Sequence, residues 1–339
     1  MQRVVLGRTG LEVCRLGFGG IPIQRVSEVQ AVETVRHAIE QGVDFIDTSR
    51  AYSSSERRIG LALKRTNKKV VIASKSHAKN ADQAWADLQT SLKELQRDYI
   101  DLYKCHFVCN EDEYQTVTSR GGALEAYQRA RAEGLIGHIG ISSHSLDVLD
   151  KALDGDLFDV IMVCFSFLEP NAREKIIPKA LQKNVGVIAM KPFSGGVIEN
   201  ASLALKFALS EPGVVVIAGV ESRQLFDTNW KAFRDASALT EAETAEIADL
   251  LQRFDKVFCR RCDYCQPCRE DIPIQTVLGV RWLVKRMGKE LFESSFLWHA
   301  VEKARNCTAC GDCLTRCPYA LPIPDMIAEN LQWLEELNG

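Results

Sequence analysis

The strongest constraint on this 339-residue chain is a regular alternation of two hydrophobic periods over its first two-thirds. Segments of helical period begin near Glu28, Ser55, Ala81, Gly122, Ser145, Ala172, Ala201 and Ser222. Between them lie short β-branched or apolar runs: Val43–Ile46, Val70–Ala73, Ile100–Tyr103, Ile139–Ile141, Val160–Val163, Val185–Ala189 and Val214–Ile217. A further run, Val13–Phe18, ends at Gly19-Gly20 and supplies a first strand. Strands that alternate with helices form a parallel sheet with right-handed crossovers. Eight such units match a closed (β/α)₈ TIM barrel better than an open sheet. No G-x-G-x-x-G follows the first strand, which weighs against an open dinucleotide-binding sheet. Arg3–Leu6 and Val13–Phe18, around Gly7-Arg8-Thr9-Gly10, read as an N-terminal β-hairpin plugging one end of the barrel.

Charge and hydropathy narrow the function classes. The 42 basic and 45 acidic residues are dispersed and the net charge is −3, so no nucleic-acid partner is expected. No apolar run approaches the roughly 20 residues that span a membrane. The N-terminus lacks the apolar core of a signal peptide, and a cytoplasmic location is expected. Thr240, with Glu243 three residues on, opens an amphipathic helix toward Lys256 as a capping box does. Beyond it cysteines and prolines take over, which divides the chain into 1–256 and 257–339. Eight of the twelve cysteines fall between Cys259 and Cys317, a crowding that favours metal ligation over disulfides in a chain without an export signal.

Barrel enzymes gather their chemistry at the carboxyl ends of the strands. In order, those ends offer Asp47 and Tyr52, then Lys75, then His106, then Ser142, Ser143 and His144. Phe165, Lys191 and Gly219 follow on the last three. Taken singly, Lys75 also reads as a solvated strand end, His106 as a core histidine, and His77 and His144 as loop residues. Together they have a chemical logic. A phenol with a pKa near 10 is a poor acid unless a cation stabilises the phenolate. Lys75 can supply that charge, Asp47 can hold Lys75 protonated, and His106 can orient a carbonyl oxygen toward Tyr52. A proton donor aimed at a carbonyl oxygen suits hydride transfer from a nicotinamide.

Ile46-Asp-Thr-Ser-Arg-Ala-Tyr-Ser-Ser-Ser-Glu56, Ile72-Ala-Ser-Lys75, Ile100-Asp-Leu-Tyr-Lys-Cys-His106 and Ile139-Gly-Ile-Ser-Ser-His144 resemble the signature segments of aldo-keto reductases. Met190-Lys-Pro-Phe-Ser-Gly-Gly196 and Ile217-Ala-Gly-Val with Asn229 extend the likeness over roughly residues 1–235. The resemblance implies Tyr52 as proton donor, with Asp47, Lys75 and His106 completing a tetrad. It implies NADP or NAD as cofactor and a small carbonyl or alcohol as substrate. Gly20 and Ile21 join Asp47 and Tyr52 at the cofactor, Ser142 and Ser143 meet the nicotinamide amide, and Phe165 stacks on its ring. Lys191, Pro192, Phe193 and Gly195, with Gly219, Glu221, Arg223 and Asn229, correspond to the pyrophosphate and adenosine ends. Met162 replaces a Gln that many relatives place beside the nicotinamide. Glu221 would repel a 2′-phosphate and can accept from a ribose hydroxyl, while Arg223 can compensate, so both cofactors stay open. The loops Ile21–Ser27 and Val108–Arg120 would meet the substrate.

The tail carries Cys259-x₂-Cys262-x₂-Cys265-x₂-Cys268 and Cys307-x₂-Cys310-x₂-Cys313-x₃-Cys317-Pro318. The second is the bacterial ferredoxin run for [4Fe–4S] clusters, whose fourth Cys serves the other cluster. Ile272-Pro273-Ile274 answers Leu321-Pro322-Ile323, which argues for two related halves and two clusters. Crosswise sets follow: Cys259, Cys262 and Cys265 with Cys317, and Cys307, Cys310 and Cys313 with Cys268. The first motif departs from the ferredoxin pattern in its x₂ spacing before Cys268 and in Arg269 where a Pro would stand. Structural zinc is the alternative, although zinc usually takes two pairs across a longer loop. Helices over Ile274–Lys285 and Glu293–Arg305 make this a small α-helical ferredoxin-like domain, and the whole resembles the aldo-keto reductases that carry one. Cys14 and Cys164 read as core residues, and Cys105 and Cys109 have no ligand spacing.

A carbonyl reductase is the first expectation, its clusters serving relay, redox sensing or structure. Hydride transfer moves two electrons and a cluster one, so a relay requires a further carrier, with a ferredoxin as possible partner. A nicotinamide-sensing regulator or an electron-transfer protein is the alternative.

Overall fold

Parallel strands buried on both faces need side chains on their inner face that fill a cylinder. The computed structural model, which describes residues 2–337, shows that arrangement. A two-stranded antiparallel hairpin, β1 (Arg3–Val5) and β2 (Glu12–Cys14), precedes it. Barrel strands follow in chain order: β3 (Leu16–Gly19), β4 (Phe45–Asp47), β5 (Val71–Ser76), β6 (Ile100–Cys105), β7 (Ile136–Ser143), β8 (Val160–Cys164), β9 (Gly186–Met190) and β10 (Val214–Gly219). β10 pairs with β3 and closes the ring. The inner face is a buried cluster of Phe45, Val71, Ala73, Leu102, Val160, Met162, Ile188, Val215 and Ile217. Leu6 and Val13 from the hairpin belong to the same cluster, so the hairpin does plug the barrel. At its turn Gly7 adopts φ 53°, and a Cβ would stand 2.2 Å from the Gly186 amide nitrogen, a place only glycine can take.

The outer helices are α1 (Glu28–Gln41), α2 (Ser55–Leu63), α3 (Ala81–Leu95), α4 (Glu111–Thr118), α5 (Ala123–Ala132), α6 (Leu146–Gly155), α7 (Ile176–Gln182), α8 (Ala201–Leu209) and α9 (Arg223–Arg234). Ser27, Asn80, Asn110, Ser145, Asn200 and Ser222 each accept a first-turn amide at a helix N-terminus, fixing where these helices start. Within the barrel the structure departs from the sequence reading at several points, the first being Val13–Phe18, which divides between β2 and β3. α4 lies inside the Val108–Arg120 segment read as loop. A 3₁₀ turn at Asn171–Arg173 takes up the expected start of α7. Strands β5 and β6 also run on past Ala73 and Tyr103, so Lys75 and Lys104 belong to the ladder rather than to the loops beyond it.

Among the described residues, 2–194 and 198–239 form one compact unit; Gly195–Val197 and 240–337 form the other. The division made from sequence falls later, at 256/257, because α10 (Glu241–Phe254) groups with the second unit; Thr240 and Glu243 form the expected capping box at its start. After α10 come α11 (Ile274–Leu278), α12 (Val280–Met287), α13 (Lys289–Glu293), α14 (Trp298–Ala304), α15 (Asp312–Arg316) and α16 (Ile323–Glu336). Gly279 breaks the expected Ile274–Lys285 helix in two, and the helix expected from Glu293 starts only at Trp298. The two Pro-flanked repeats face one core: Ile272, Ile274, Leu321 and Ile323 share a cluster with Val277, Ala300 and Ile327. Among the described residues no helix is long and apolar enough to cross a membrane.

Candidate functional site

Asp47 ends β4 with its carboxylate buried and one lysine on each oxygen. Lys75 Nζ donates to Oδ1 at 2.5 Å, and Lys104 Nζ to Oδ2 at 2.7 Å. Lys75 and Lys104 are directly opposed partners on β5 and β6, hence on one face of the sheet. Burial alone would raise Asp47, but Lys104 and Lys75 outweigh it and hold the carboxyl below its ordinary value. Burial likewise works against Lys75, yet Asp47 and Tyr52 together hold its ammonium above the ordinary lysine range. Lys104 goes the other way: desolvation, with Lys75 beside it, lowers it to about 8 despite Asp47.

Tyr52 sits in the turn between β4 and α2. Its amide donates to the Ser49 carbonyl and its own carbonyl accepts from the Ser55 amide. Ser55 Oγ also bonds Thr48 and the Gly20 carbonyl, at 2.8 Å each, which ties the turn to the first two strand ends. Lys75 Nζ lies 4.7 Å from the Tyr52 ring centroid, and the His106 ring meets Tyr52 edge-on at 5.8 Å. The structure thus brings Asp47, Tyr52, Lys75 and His106 together.

It also adds three residues that the sequence reading did not place there: Ser49, His77 and Lys104. His77 stacks on His106 at 4.0 Å. Ser49 Oγ reaches both the Lys75 carbonyl at 3.1 Å and His106 Nδ1 at 3.0 Å. Its one hydrogen can serve only one of them: given to Nδ1, it leaves the His106 proton on Nε2, able to donate to a substrate oxygen; given to the Lys75 carbonyl, it leaves Nδ1–H donating to Ser49. Period-two alternation, which sets Lys104 on the same strand face as His106, was the available signal for Lys104.

Desolvation first, then Lys75, His77, Lys104 and His144, push His106 well below the ordinary histidine value; desolvation lowers His77 as well. The folded state therefore keeps both rings neutral while the unfolded chain protonates them below pH ~6.5. Stability should fall as pH drops below that point, by up to about 1.4 kcal/mol per pH unit for each ring. Thermal melts between neutral and mildly acidic pH check this: His106→Gln should melt with a shallower pH slope than the parent, and an equal slope would contradict it.

The remaining candidates spread along the strand ends. Gly20 donates its amide to the Asp47 carbonyl at 2.8 Å, and Ile21 leads into the 3₁₀ turn Pro22–Arg25. Ser142 and Ser143 are buried at the end of β7, where their hydroxyls accept from the Phe107 and Ser145 amides at 3.0 and 2.9 Å. Phe165 is wholly buried, tilted against Phe207 at 5.3 Å with the Arg173 guanidinium over its ring. Stacking on a nicotinamide would require that ring to be uncovered. Lys191, with φ 59°, opens the turn after β9, and its Nζ lies 2.9 Å from His144 Nε2. Pro192 is buried, Phe193 half-buried, and Gly195 adopts φ 80°. Gly219 ends β10, where a Cβ would stand 3.0 Å from Pro22. Glu221 pairs with Arg25 at 2.5 Å, Arg223 with Glu33 at 3.2 Å, and Asn229 is buried on α9.

In the second unit none of the cysteines is in a disulfide. A cavity there is walled by Cys268, Cys307, Cys310 and Cys313, together with Ile272 and Ile327. The Cys313 thiol is raised, first by burial and then by Cys307, Cys310 and Cys268 as neighbours. Cys265 is pushed up to about 12, by burial and then by charges that include Cys259 and Cys262; Cys262 in turn feels Cys317. Among the described residues no three His, Cys, Asp or Glu side chains gather closely enough to hold a single metal ion. A cubane makes a looser demand, since each of its irons takes one thiolate.

A (β/α)₈ barrel with a buried Asp–Lys pair beside a tyrosine and a histidine at its strand ends defines the class of fold and site. The aldo/keto reductase family model matches residues 15–202, and the chain belongs to that family. L-galactose dehydrogenase of Arabidopsis thaliana is 31% identical over 212 residues, 57% of this chain and 66% of that protein. Aldo-keto reductase YhdN of Bacillus subtilis is 28% identical over 205 residues, 55% of this chain and 60% of that protein. Less than two thirds of either relative's length is thus spanned. Among solved structures, the holo form of aldo-keto reductase AKR11C1 from Bacillus halodurans aligns with TM-score 0.62 at 25% identity, over 74% of this chain and 96% of that one. An aldo-keto reductase from Klebsiella pneumoniae in complex with NADPH aligns at 23% identity with TM-score 0.62, over 74% and 95%.

Proposed function

We propose that this chain is an NAD(P)H-dependent oxidoreductase that reduces an aldehyde or ketone, or oxidises the alcohol, with Tyr52 as proton donor. The observation that carries it is the buried Lys75 ammonium, bonded to Asp47 and set 4.7 Å from the Tyr52 ring. A bound nicotinamide would supply the hydride. This chain's own residues supply the proton and its placement. Tyr52 gives its proton to the carbonyl oxygen, Lys75 stabilises the phenolate left behind, and neutral His106 orients that oxygen. The donor set suits a dinucleotide: Ser142 and Ser143 for the carboxamide, Lys191 and the amides at the start of α9 for the phosphates. Gly20, Ile21, Pro192, Phe193, Gly195, Gly219, Glu221, Arg223 and Asn229 complete the proposed contacts, with Phe165 joining them once its ring is uncovered from Phe207 and Arg173.

Residues 1–256 form the reductase portion on this reading and 257–339 an iron–sulfur portion. Two [4Fe–4S] clusters are proposed there, on the crosswise cysteine sets, for relay, redox sensing or structure. The four-cysteine cavity and the electrostatic neighbourhoods of Cys262, Cys265 and Cys313, which follow those sets, support this. A ferredoxin or another one-electron carrier is the partner such clusters would serve.

Anaerobically purified protein, given a generic aldehyde, should consume NADPH or NADH. Cofactor binding without consumption would instead favour a nicotinamide sensor. The carboxylates of Glu221 and Glu33 already neutralise Arg25 and Arg223. Glu221→Ser should therefore raise kcat/KM for NADPH relative to NADH by about tenfold, by removing a charge that repels a 2′-phosphate. An unchanged ratio would place the 2′ end of the cofactor elsewhere.

A further inference from the structure

Lys104 is fully buried, yet the proton-transfer scheme above gives it no role. Its position is a costly one. It stands directly across the ladder from Lys75, where two like charges repel. Strand β7 yields space for it: Lys104 is paired in register with Gly140, where a Cβ would stand 2.8 Å from Lys104 Cγ. An aliphatic residue would fill the same inward position without the cost of burying an ion.

The charge balance points to a use. Asp47, Lys75 and Lys104 carry one negative and two positive charges, so with Tyr52 neutral the buried set keeps one uncompensated positive charge. The other groups nearby are His106, His77 and His144; the first two are held low and add no positive charge near neutral pH. When the proton leaves Tyr52 Oη for the carbonyl oxygen, the phenolate brings the set to neutrality. We propose that Lys104 is a positioning residue: it fixes Asp47 by its second oxygen and supplies the buried charge that the Tyr52 phenolate balances. Lys75 is then left to face Tyr52 instead of being fully neutralised by Asp47. The inference rests on Tyr52 as the acid, but its electrostatic content can be read without turnover.

The test is an ultraviolet difference titration of tyrosinate in the intact chain, with Tyr52→Phe subtracted to isolate Tyr52. Lys104 gives up its own proton at about 8. Lys104→Arg, charged throughout the titration, should therefore move the Tyr52 titration downward by about one pH unit, a tenfold gain of phenolate at fixed pH, as a retained buried charge requires. Lys104→Met should leave the titration near the parent value and should remove the dependence of the alcohol-oxidation rate on pH around 8. Should Lys104→Arg fail to fold, that rate profile of Lys104→Met is the deciding readout. A Lys104→Arg protein that folds and titrates Tyr52 as the parent does, or a Lys104→Met protein that keeps the pH dependence around 8, would overturn the proposal. A shifted titration in a protein that never turns over a carbonyl would keep it and overturn only the reductase reading.

Discussion

Tyr52→Phe is expected to lower aldehyde reduction by about 10²–10⁴-fold while nicotinamide binding stays intact, because general acid help is worth that much. Phenylalanine keeps the ring against Lys75 and His106 and removes only the proton. The loss should appear in kcat and kcat/KM alike, as for an interaction made only in the transition state. Fluorescence titration with the reduced nicotinamide reports the binding half of the claim. A variant that reduces aldehydes as fast as the parent would show that another group donates the proton. Lys75→Met is the companion experiment, and it should also strand Asp47 on Lys104 alone.

Anaerobically purified protein is expected to show broad visible absorption and about eight irons per chain, as two cubanes require. The crosswise sets add a sharper expectation. Cys259→Ala and Cys307→Ala should each leave about four irons, one cubane's worth. Combining Cys268→Ala with Cys307→Ala should cost no more than either alone, since both would serve one cluster. Combining Cys268→Ala with Cys259→Ala should empty both. If the sets instead followed the chain, these two pairs would exchange outcomes. A colourless protein carrying zinc would remove the clusters altogether.

The barrel was legible because each strand and helix announces its own period. Val160–Val163 or Val214–Ile217 can be nothing but buried strand in that setting, and Ser27, Asn80 and Ser222 mark helix starts by chemistry that is local. Asp47, Tyr52, Lys75 and His106 were legible for a related reason, since strand ends converge once the barrel closes. Lys104 was not. Its strand was read as stopping at Tyr103, because a lysine looks like the end of a buried run; only Asp47, contributed by another strand, makes that charge tolerable inside the ladder. Ser49 escaped for a similar reason, its partners Lys75 and His106 being distant in sequence. The burial of Phe165 depends on its ring contact with Phe207 of α8, distant in sequence, which no local pattern encodes. In the tail, Gly279 was absorbed into an apolar helical period that it in fact interrupts.

The bare backbone of Gly140 couples two positions that never exchange a hydrogen bond. A Cβ at 140 would stand 2.8 Å from the Lys104 stem and 2.9 Å from the Val160 carbonyl oxygen, so shortening residue 104 removes one of the two collisions and leaves the other. In the laboratory, Gly140→Ala should be tolerated better in a Lys104→Ala background than alone, a sign of epistasis that melting temperatures of the four proteins would reveal.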